Sequence, residues 1–310
     1  MRLLIVDDSA LYRKILSEAA SGLPDVETIT ASNGEIALAR LRAERIDLVL
    51  LDVFMPDRTG PEVLQEIRRE HPGVPVVMVS GATGRDAEIT LGALSHGAMD
   101  FIPKPASTSV ESSIASIRSD IRRVVDAARL RATGRAASSQ PAPVVSSPAA
   151  PKSAPVRRLS PPPFLDILLI GVSTGGPRAL AEILPGLAKN FPVPIVIVQH
   201  MPPVFTQSLA AQLDRTCPLN VIEAPSAHTP VAGEVLIAPG GQHLELVKDA
   251  NGAVRTRFSD APPVHSCRPS VDVLFQTAAR CGYRGAVSLI LTGMGSDGAD
   301  GVRALKEAIP

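Results

Sequence analysis

A glycine-rich turn between an apolar run and an expected helix constrains this chain more than any other feature. Residues 166–177 read Asp-Ile-Leu-Leu-Ile-Gly-Val-Ser-Thr-Gly-Gly-Pro. The apolar run at 167–170 is typical of a buried strand, and Pro177 suits the first position of a helix. The Gly-x-Ser-x-Gly spacing around Ser173 is that of a nucleophile elbow, which holds a serine on a strand-to-helix turn. We therefore predict an α/β fold with Ser173 at the end of a strand.

The same turn has two simpler interpretations. Glycine adopts the backbone angles of a sharp turn at little cost, and the small neighbours leave the Ser173 hydroxyl open. Amides at the start of the helix could stabilise an oxyanion. An ordinary strand–helix turn, or an anion site without chemistry, would use the same residues. This stretch alone leaves all three interpretations open.

Length and charge limit the class of protein. With 310 residues, 45% of them hydrophobic, the chain can form two domains that each bury a core. Its 31 basic and 31 acidic residues cancel, so nothing favours nucleic acid or an anionic membrane as a partner. We expect no signal peptide at the N-terminus, because a short apolar run there is followed at once by two aspartates, and no membrane-spanning segment. The three cysteines lack metal-ligand spacing, as expected for free thiols in the cytoplasm. We expect a cytoplasmic monomer without membrane insertion.

The first half alternates short apolar runs with helical patterns, which predicts a parallel sheet with helices on both faces. The expected strands are 3–6, 46–51, 76–79 and 100–102. The helices include 10–20, which Ser9 can cap, 35–44 and 61–70.

Polar residues follow these strands where each one ends. They are Asp7, Asp8, Asp52, Ser80 and Lys104, and ligands of such sheets bind beyond the carboxyl ends of the strands. Three crowded carboxylates call for a cation, and Mg²⁺ prefers such ligands. One carboxylate could then attack a phosphoryl donor, with the lysine and serine holding phosphoryl oxygens. Taken singly, each residue would be an ordinary solvated strand end.

This constellation resembles the receiver domain of bacterial response regulators. The matching residues are Asp7-Asp8-Ser9, Asp52-Val53-Phe54-Met55-Pro56, Gly60, Ser80-Gly81 and Lys104-Pro105. The resemblance implies that a partner histidine kinase phosphorylates Asp52. It also implies that Asp8, Asp52 and the Phe54 carbonyl hold Mg²⁺, with Asp7 assisting through water.

The resemblance also assigns the residues that respond to phosphorylation. Ser80 and Lys104 would sense the phosphoryl group, and Phe101 would be the switch aromatic. The sequence departs from the family at 57–59, Asp-Arg-Thr, where less charged residues are usual. We expect this loop to alter kinase preference.

A change of composition separates the two halves. Residues 109–130 carry apolar positions at helical spacing and are expected to form the last receiver helix. Residues 131–163 contain eight prolines, many alanines and serines, and no acidic residue. Such a segment is typical of a flexible linker and would span roughly 30 Å. The expected domains are a receiver at 1–130, a linker at 131–163 and a second domain at 164–310.

The second half again places distinctive side chains where apolar strands stop. Ser173, His200 and Asp297 would follow three separate strands, as in a Ser-His-Asp triad assembled from distant sequence. The expected strands are 167–170, 195–198, 220–222, 234–238, 243–246 and 287–291, with helices at 177–188 and up to 305. Other candidates for the base are His228, His243 and His265, and other candidates for the acid are Asp272 and Asp300.

This half resembles the catalytic domain of the chemotaxis protein-glutamate methylesterase. The matching stretches are 170–177, 199–203, 237–240, 268–272 and 291–298. The resemblance implies that Ser173, His200 and Asp297 are the triad, and that Thr174 and the Met294 backbone lie near the oxyanion. It implies hydrolysis of glutamate methyl esters, and deamidation of certain glutamines, on chemoreceptors. No cofactor is expected for this hydrolysis.

Together these features predict an α/β chain of two doubly wound parallel-sheet domains. The first would be a flavodoxin-like receiver and the second a Rossmann-like methylesterase, joined by the Pro/Ala-rich linker. Phosphorylation of the receiver is expected to uncover the Ser173 cleft. Alternatives are a catalytically impaired response regulator that binds receptors or competes for the kinase, and a hydrolase of small esters.

The end of the chain is a further departure from the family. The family's catalytic domain continues past the helix that ends near 308, whereas this sequence stops at 310. We therefore expect the catalytic domain to be C-terminally incomplete; the alternative is a sheet edge that is left unprotected.

Overall fold

Two parallel sheets, each flanked by helices, make up the structure. The computed structural model describes residues 1–105, 109–138, 164–293 and 295–309. One five-stranded sheet lies in each half of the chain, and the second half adds a two-stranded hairpin. This agrees with the predicted α/β class.

The first half alternates strands and helices without exception. Its elements are β1 (Arg2–Val6), α1 (Ala10–Ser21), β2 (Glu27–Ala31), α2 (Gly34–Ala43), β3 (Leu48–Asp52), α3 (Gly60–Glu70), β4 (Val76–Ser80), α4 (Gly84–Ser95), β5 (Asp100–Pro103) and α5 (Val110–Ser138). The strand order is β2-β1-β3-β4-β5, and all pairs are parallel. This order is that of flavodoxin-like folds.

Local sequence explains where several of these helices begin. The Ser9 side chain accepts a hydrogen bond from the Tyr12 amide, as predicted for the cap of α1. Asn33 caps α2 in the same way. Thr83 and Asp86 form a capping box at α4. Each cap provides an acceptor for an amide that the helix itself cannot bond.

Two features of the first half differ from expectation. Strand β2 was not predicted, because its Glu-Thr-Ile-Thr-Ala sequence lies at the sheet edge and is largely accessible, so it shows no apolar run. Helix α5 continues to Ser138, so residues 131–138 are helical rather than linker. The rest of the expected linker, 139–163, lies outside the described residues.

The second half forms a parallel sheet in the order β12-β6-β7-β9-β8. Its elements are β6 (Ile167–Val172), α6 (Gly176–Ile183) with a 3₁₀ turn at Leu184–Gly186, β7 (Ile195–Gln199), α7 (Phe205–Asp214), β8 (Asn220–Glu223), β9 (Glu234–Ile237), β10 (His243–Lys248), β11 (Val254–Ser259), α8 (Val271–Ala279), β12 (Ala286–Ile290) and α9 (Ala299–Ala308).

A helix end, strand β10 and strand β12 relate to the expectations for this half. The helix predicted at 177–188 ends at Ile183, where Pro185 favours the 3₁₀ turn. The strand predicted at 243–246 is β10, which pairs antiparallel with β11 outside the parallel sheet. In the described sheet β12 is an edge strand, and its apolar Leu289 and Ile290 are 37% and 47% exposed.

The two halves pack directly against each other. The ring of Phe101, on β5, stacks on the ring of Phe205, on α7, with centroids 4.3 Å apart. Both side chains are buried. Nearby, the Gln212 amide of α7 donates to the Ser95 hydroxyl of α4 over 3.1 Å. Among the described helices, none combines the length and apolarity needed to traverse a bilayer.

Two glycines of the first half provide a matched test of packing. A Cβ added at Gly60 would lie 2.1 Å from the Asp52 carbonyl oxygen, so Gly60→Ala should cost about 1–3 kcal/mol of stability. Gly92, inside α4, has no atom within 4 Å of an added Cβ, so Gly92→Ala should stabilise by about 0.5–1 kcal/mol. We expect opposite shifts of the urea midpoint by circular dichroism; equal midpoints would contradict the packing.

Candidate active site and phosphoacceptor site

The predicted triad lies at the carboxyl ends of neighbouring strands of the second sheet. Ser173 directly follows β6 and His200 directly follows β7, and these strands are neighbours. The His200 amide donates to the Val172 carbonyl over 3.1 Å. The loop after β12, the strand on the other side of β6, carries Asp297.

Asp297 is fixed at the start of helix α8. Its carboxylate accepts hydrogen bonds from the Ser270 hydroxyl at 2.7 Å, the Val271 amide at 2.8 Å and the Asp272 amide at 3.0 Å. His200 Nε2 lies 2.7 Å from Asp297 Oδ2. A helix N-terminus attracts negative charge, so this position suits an ionised carboxylate.

Hydrogen bonding dominates the protonation of both partners. Burial would raise the pKa of Asp297, but the bonds from His200, Ser270 and the two amides outweigh it and lower that pKa to about 2. Burial alone would lower the pKa of His200, yet its contacts with Asp297 and Cys267 raise it to about 9. An ionised Asp297 requires the proton on His200 Nε2, which leaves the lone pair of the neutral ring on Nδ1.

The turn after β6 holds Ser173 in a close-fitting environment. The Gln199 side-chain amide donates to the Ser173 carbonyl over 3.0 Å. A Cβ at Gly293 would lie 2.7 Å from Ser173 Cβ. In the described part of the chain, the amides of Thr174 and Gly175 have no acceptor. These two amides, at the start of α6, are therefore available to an oxyanion.

The described residues contain no hydrogen bond between the Ser173 hydroxyl and His200. His200 Nδ1 instead lies 3.6 Å from the sulfur of Cys267. All three residues line one cavity of about 780 Å³ between the two halves of the chain. Before His200 can accept the Ser173 proton, its imidazole therefore has to leave the Cys267 thiol and contact the Ser173 hydroxyl.

The other sequence candidates have partners elsewhere. His228 lies 2.9 Å from Glu234, His243 contacts the Pro262 carbonyl and the Ser270 amide, His265 lies 3.2 Å from Asp272, and Asp300 pairs with Arg303. Within the described residues, His200 contacts Asp297, and none of these three other histidines does. Met294 lies outside the described residues.

A receiver side chain reaches the turn that carries the serine. Arg123, on α5, donates to the Thr174 hydroxyl over 2.8 Å. The same guanidinium forms an ion pair with Asp100, the first residue of β5. Asp100 is 5% exposed, so its charge is shielded from solvent, whereas the Arg123 side chain is partly exposed. One arginine thus links a receiver strand to the residue beside Ser173.

The predicted phosphoacceptor residues meet at the opposite end of the receiver strands. Oxygens of Asp7, Asp8 and Asp52 lie within 4.8 Å of one another. Lys104 Nζ lies 2.9 Å from Asp7 Oδ2 and 2.8 Å from Asp52 Oδ1. Burial raises the pKa of Asp52 to about 6, and Asp7 adds to this, although Lys104 opposes it. A set of carboxylate oxygens with an excess of negative charge fits Mg²⁺.

Unlike Lys104, the predicted switch residues Ser80 and Phe101 have side-chain partners other than Asp52. The Ser80 hydroxyl lies 2.7 Å from the Thr90 hydroxyl of α4, and Phe101 stacks on Phe205. The Phe54 side chain is 40% exposed. Phe101 is thereby both the expected switch aromatic and part of the contact between the two halves.

Sequence reasoning missed several residues of the candidate site. Ser270 belongs to the stretch 268–272 that resembles the methylesterase family, and Cys267 directly precedes it. Their contacts with Asp297 and His200 were not predicted. Gln199 precedes His200 in the matching stretch 199–203, but its contact with the Ser173 carbonyl was not predicted. Arg123 carries no sequence signal, because it is one of several arginines on a helix.

Comparison with known proteins identifies both halves. Residues 168–309 match the CheB methylesterase family and residues 3–112 match the response regulator receiver domain. A protein-glutamate methylesterase/protein-glutamine glutaminase from Nocardioides sp. is 41% identical over 99% of this chain and 83% of its own length. One of the same name from Geobacillus kaustophilus is 42% identical, over 99% and 86%.

A solved structure is also similar to the second half. The Thermotoga maritima CheB methylesterase catalytic domain is 46% identical, with a TM-score of 0.45, and covers 47% of this chain and 76% of its own. Identity of about 40% along nearly the whole chain settles the family. The chain belongs to the protein-glutamate methylesterases/protein-glutamine glutaminases, the CheB methylesterases that carry a response regulator receiver domain.

Proposed function

We propose that this chain hydrolyses glutamate methyl esters, and deamidates selected glutamines, on chemoreceptors during chemotactic adaptation. The reaction would use Ser173 as nucleophile, His200 as general base and Asp297 as the group that orients the base. The observation that carries the assignment is the 2.7 Å contact between His200 and Asp297, in a cavity that Ser173 also lines.

The hydrolysis would follow the acyl-transfer chemistry of a serine hydrolase. His200 Nδ1 takes the Ser173 proton while the serine oxygen attacks the γ-carbonyl of a methylglutamate. The tetrahedral intermediate collapses, and methanol leaves with the proton from the imidazolium. Water then attacks the acyl-enzyme, with His200 again as base, and releases the glutamate. For glutamine, ammonia leaves in place of methanol.

The amides of Thr174 and Gly175, which have no acceptor among the described residues, suit the developing oxyanion. They follow Ser173 directly and lie at the start of α6, where the helix dipole also favours negative charge. In nucleophile elbows the amide after the nucleophile has this role. One such donor typically contributes about 3 kcal/mol to transition-state stabilisation. We assign the Met294 backbone to the same region on the family resemblance alone.

The receiver would control access to this site. Its α5 and β5 line the cavity together with Ser173 and His200. A receptor segment that enters this cavity therefore meets the receiver, and we infer that the receiver moves before a receptor helix reaches Ser173.

Phosphorylation of Asp52 by a histidine kinase would release this block. Asp8, Asp52 and the Phe54 carbonyl would hold Mg²⁺, with Asp7 acting through water, and the ion would neutralise charge during phosphoryl transfer. Lys104, already 2.8 Å from Asp52, and Ser80 would contact the phosphoryl group. Lys104 directly follows β5, so its movement can shift Asp100 and Phe101 and weaken the contacts to Thr174 and Phe205.

Location and assembly follow from this role. The substrate regions of chemoreceptors and the kinase place the chain in the cytoplasm. Its three free cysteines suit that reducing compartment. The receiver and catalytic halves of one chain already face each other, so the proposed control needs no second copy.

Substitution of the nucleophile should abolish hydrolysis but not phosphorylation. Ser173→Ala should lower methanol release from methylated receptor membranes by about 10⁴-fold or more, while Asp52 still accepts phosphate. Ser226→Ala, at an exposed position of the same domain, should retain full activity. If Ser173→Ala still released methanol at the parent rate, the triad assignment would be wrong.

Substitution of the phosphoacceptor should remove stimulation alone. Asp52→Ala should keep its basal rate, whereas acetyl phosphate with Mg²⁺ should raise the parent rate about tenfold, a coupling of ordinary size. Asp57→Ala changes a nearby exposed carboxylate and should remain responsive. A comparable stimulation of Asp52→Ala would contradict the control scheme. No methanol from the parent in either state would favour a receptor-binding regulator.

Removal of the Arg123 contact should raise basal hydrolysis. Loss of Arg123 alone would strand the buried charge of Asp100, so the test is the double variant Arg123→Met/Asp100→Asn. Without phosphodonor, its methanol release should exceed that of the parent about fivefold. Arg122→Ala, an exposed neighbour on α5, should behave as the parent. A double variant that folds normally by circular dichroism but keeps the parent rate would exclude this role for Arg123.

A further inference from the structure

Cys267 occupies a position that the hydrolytic mechanism does not explain. Its sulfur lies 3.6 Å from His200 Nδ1, the nitrogen that the proposed mechanism uses as base. Both side chains are partly exposed and line the cavity. The thiol and the imidazole therefore face one solvent-accessible space.

The separation of these two atoms matches the edge of a tetrahedral zinc site. Zinc lies 2.0–2.1 Å from histidine nitrogen and about 2.3 Å from cysteine sulfur, so two such ligands at a tetrahedral angle are about 3.5–3.6 Å apart. The observed 3.6 Å falls within this range. The two ligand atoms therefore already have the separation that a shared ion requires.

The environment of His200 also resembles that of a metal ligand. Histidine ligands usually donate their second ring N–H to a carboxylate, which fixes the tautomer and strengthens the ligand. Here Nε2 bonds Asp297 at 2.7 Å, which leaves the Nδ1 lone pair directed at the thiol. Asp297 is anchored in turn by Ser270 and two amides. Water from the cavity can supply the remaining ligands.

We propose that Cys267 Sγ and His200 Nδ1 form an inhibitory site for a thiophilic divalent cation of the Zn²⁺ class. As the zinc bonds form, the thiol proton of Cys267 and the Nδ1 proton of the His200 imidazolium both leave to solvent. The Nδ1 lone pair becomes a ligand and cannot accept the Ser173 proton, so hydrolysis stops. The binding itself is independent of the proposed function, whereas the inhibition rests on it.

Binding is tested on the full chain by alkylation of its three cysteines. We expect about 10 μM Zn²⁺ to slow the reaction of Cys267 with iodoacetamide at least tenfold, because a metal-bound thiolate is a poor nucleophile. Cys217 and Cys281 are the internal controls: the first bonds the Leu184 carbonyl and the second is buried. Peptide mass spectrometry reads each site separately. In His200→Ala the protection of Cys267 should be lost. Equal rates with and without zinc would overturn the site.

Inhibition is tested on methanol release with the same probe. Zn²⁺ should suppress the parent rate, and EDTA should restore it. Cys267→Ser, compared with its own zinc-free rate, should require at least about tenfold more zinc, while Cys217→Ser should be inhibited like the parent. Protection without inhibition would overturn the inhibitory role. If the parent released no methanol at all, the proposed function would fail, and the alkylation result would still decide whether zinc binds.

Discussion

The carboxylate of Asp297 is the group on which the rest of the candidate active site depends. It accepts three hydrogen bonds at the start of α8 and a fourth from His200. That arrangement keeps it ionised and places the histidine proton on Nε2. In the neutral ring the lone pair is therefore on Nδ1, and both the proposed base and the proposed metal ligand are this one nitrogen.

A single short strand connects the two chemical sites. Strand β5 spans Asp100–Pro103, about 13 Å at an ordinary rise per residue. At one end, Asp100 pairs with the arginine that contacts Thr174. Lys104 follows the other end and contacts Asp52, and Phe101 stacks on the catalytic half between them. A displacement of β5 would therefore change the contacts near both Thr174 and Asp52.

The sequence predicted those parts of the fold that depend on local patterns. Buried strands such as β3 and β7 show as apolar runs, and the polar residues at their ends were correctly expected to lie at one edge of each sheet. Strand β2 and the hairpin partner β11 are half-exposed and polar, so periodicity did not find them. The contacts of Arg123 with Thr174 and of Cys267 with His200 join residues far apart in sequence. Only the folded arrangement reveals such pairs.

The contact between Phe101 and Phe205 has a consequence for the strength of the block. Receiver and catalytic halves belong to one polypeptide, and such linkage typically gives an effective concentration of about millimolar. Contacts with only about millimolar intrinsic affinity therefore suffice to keep the cleft covered about half of the time. Free receiver added in trans would need a comparable concentration to compete. Under the proposed control, a linked receiver would act at any expression level, and a weak signal would be enough to displace contacts of that affinity.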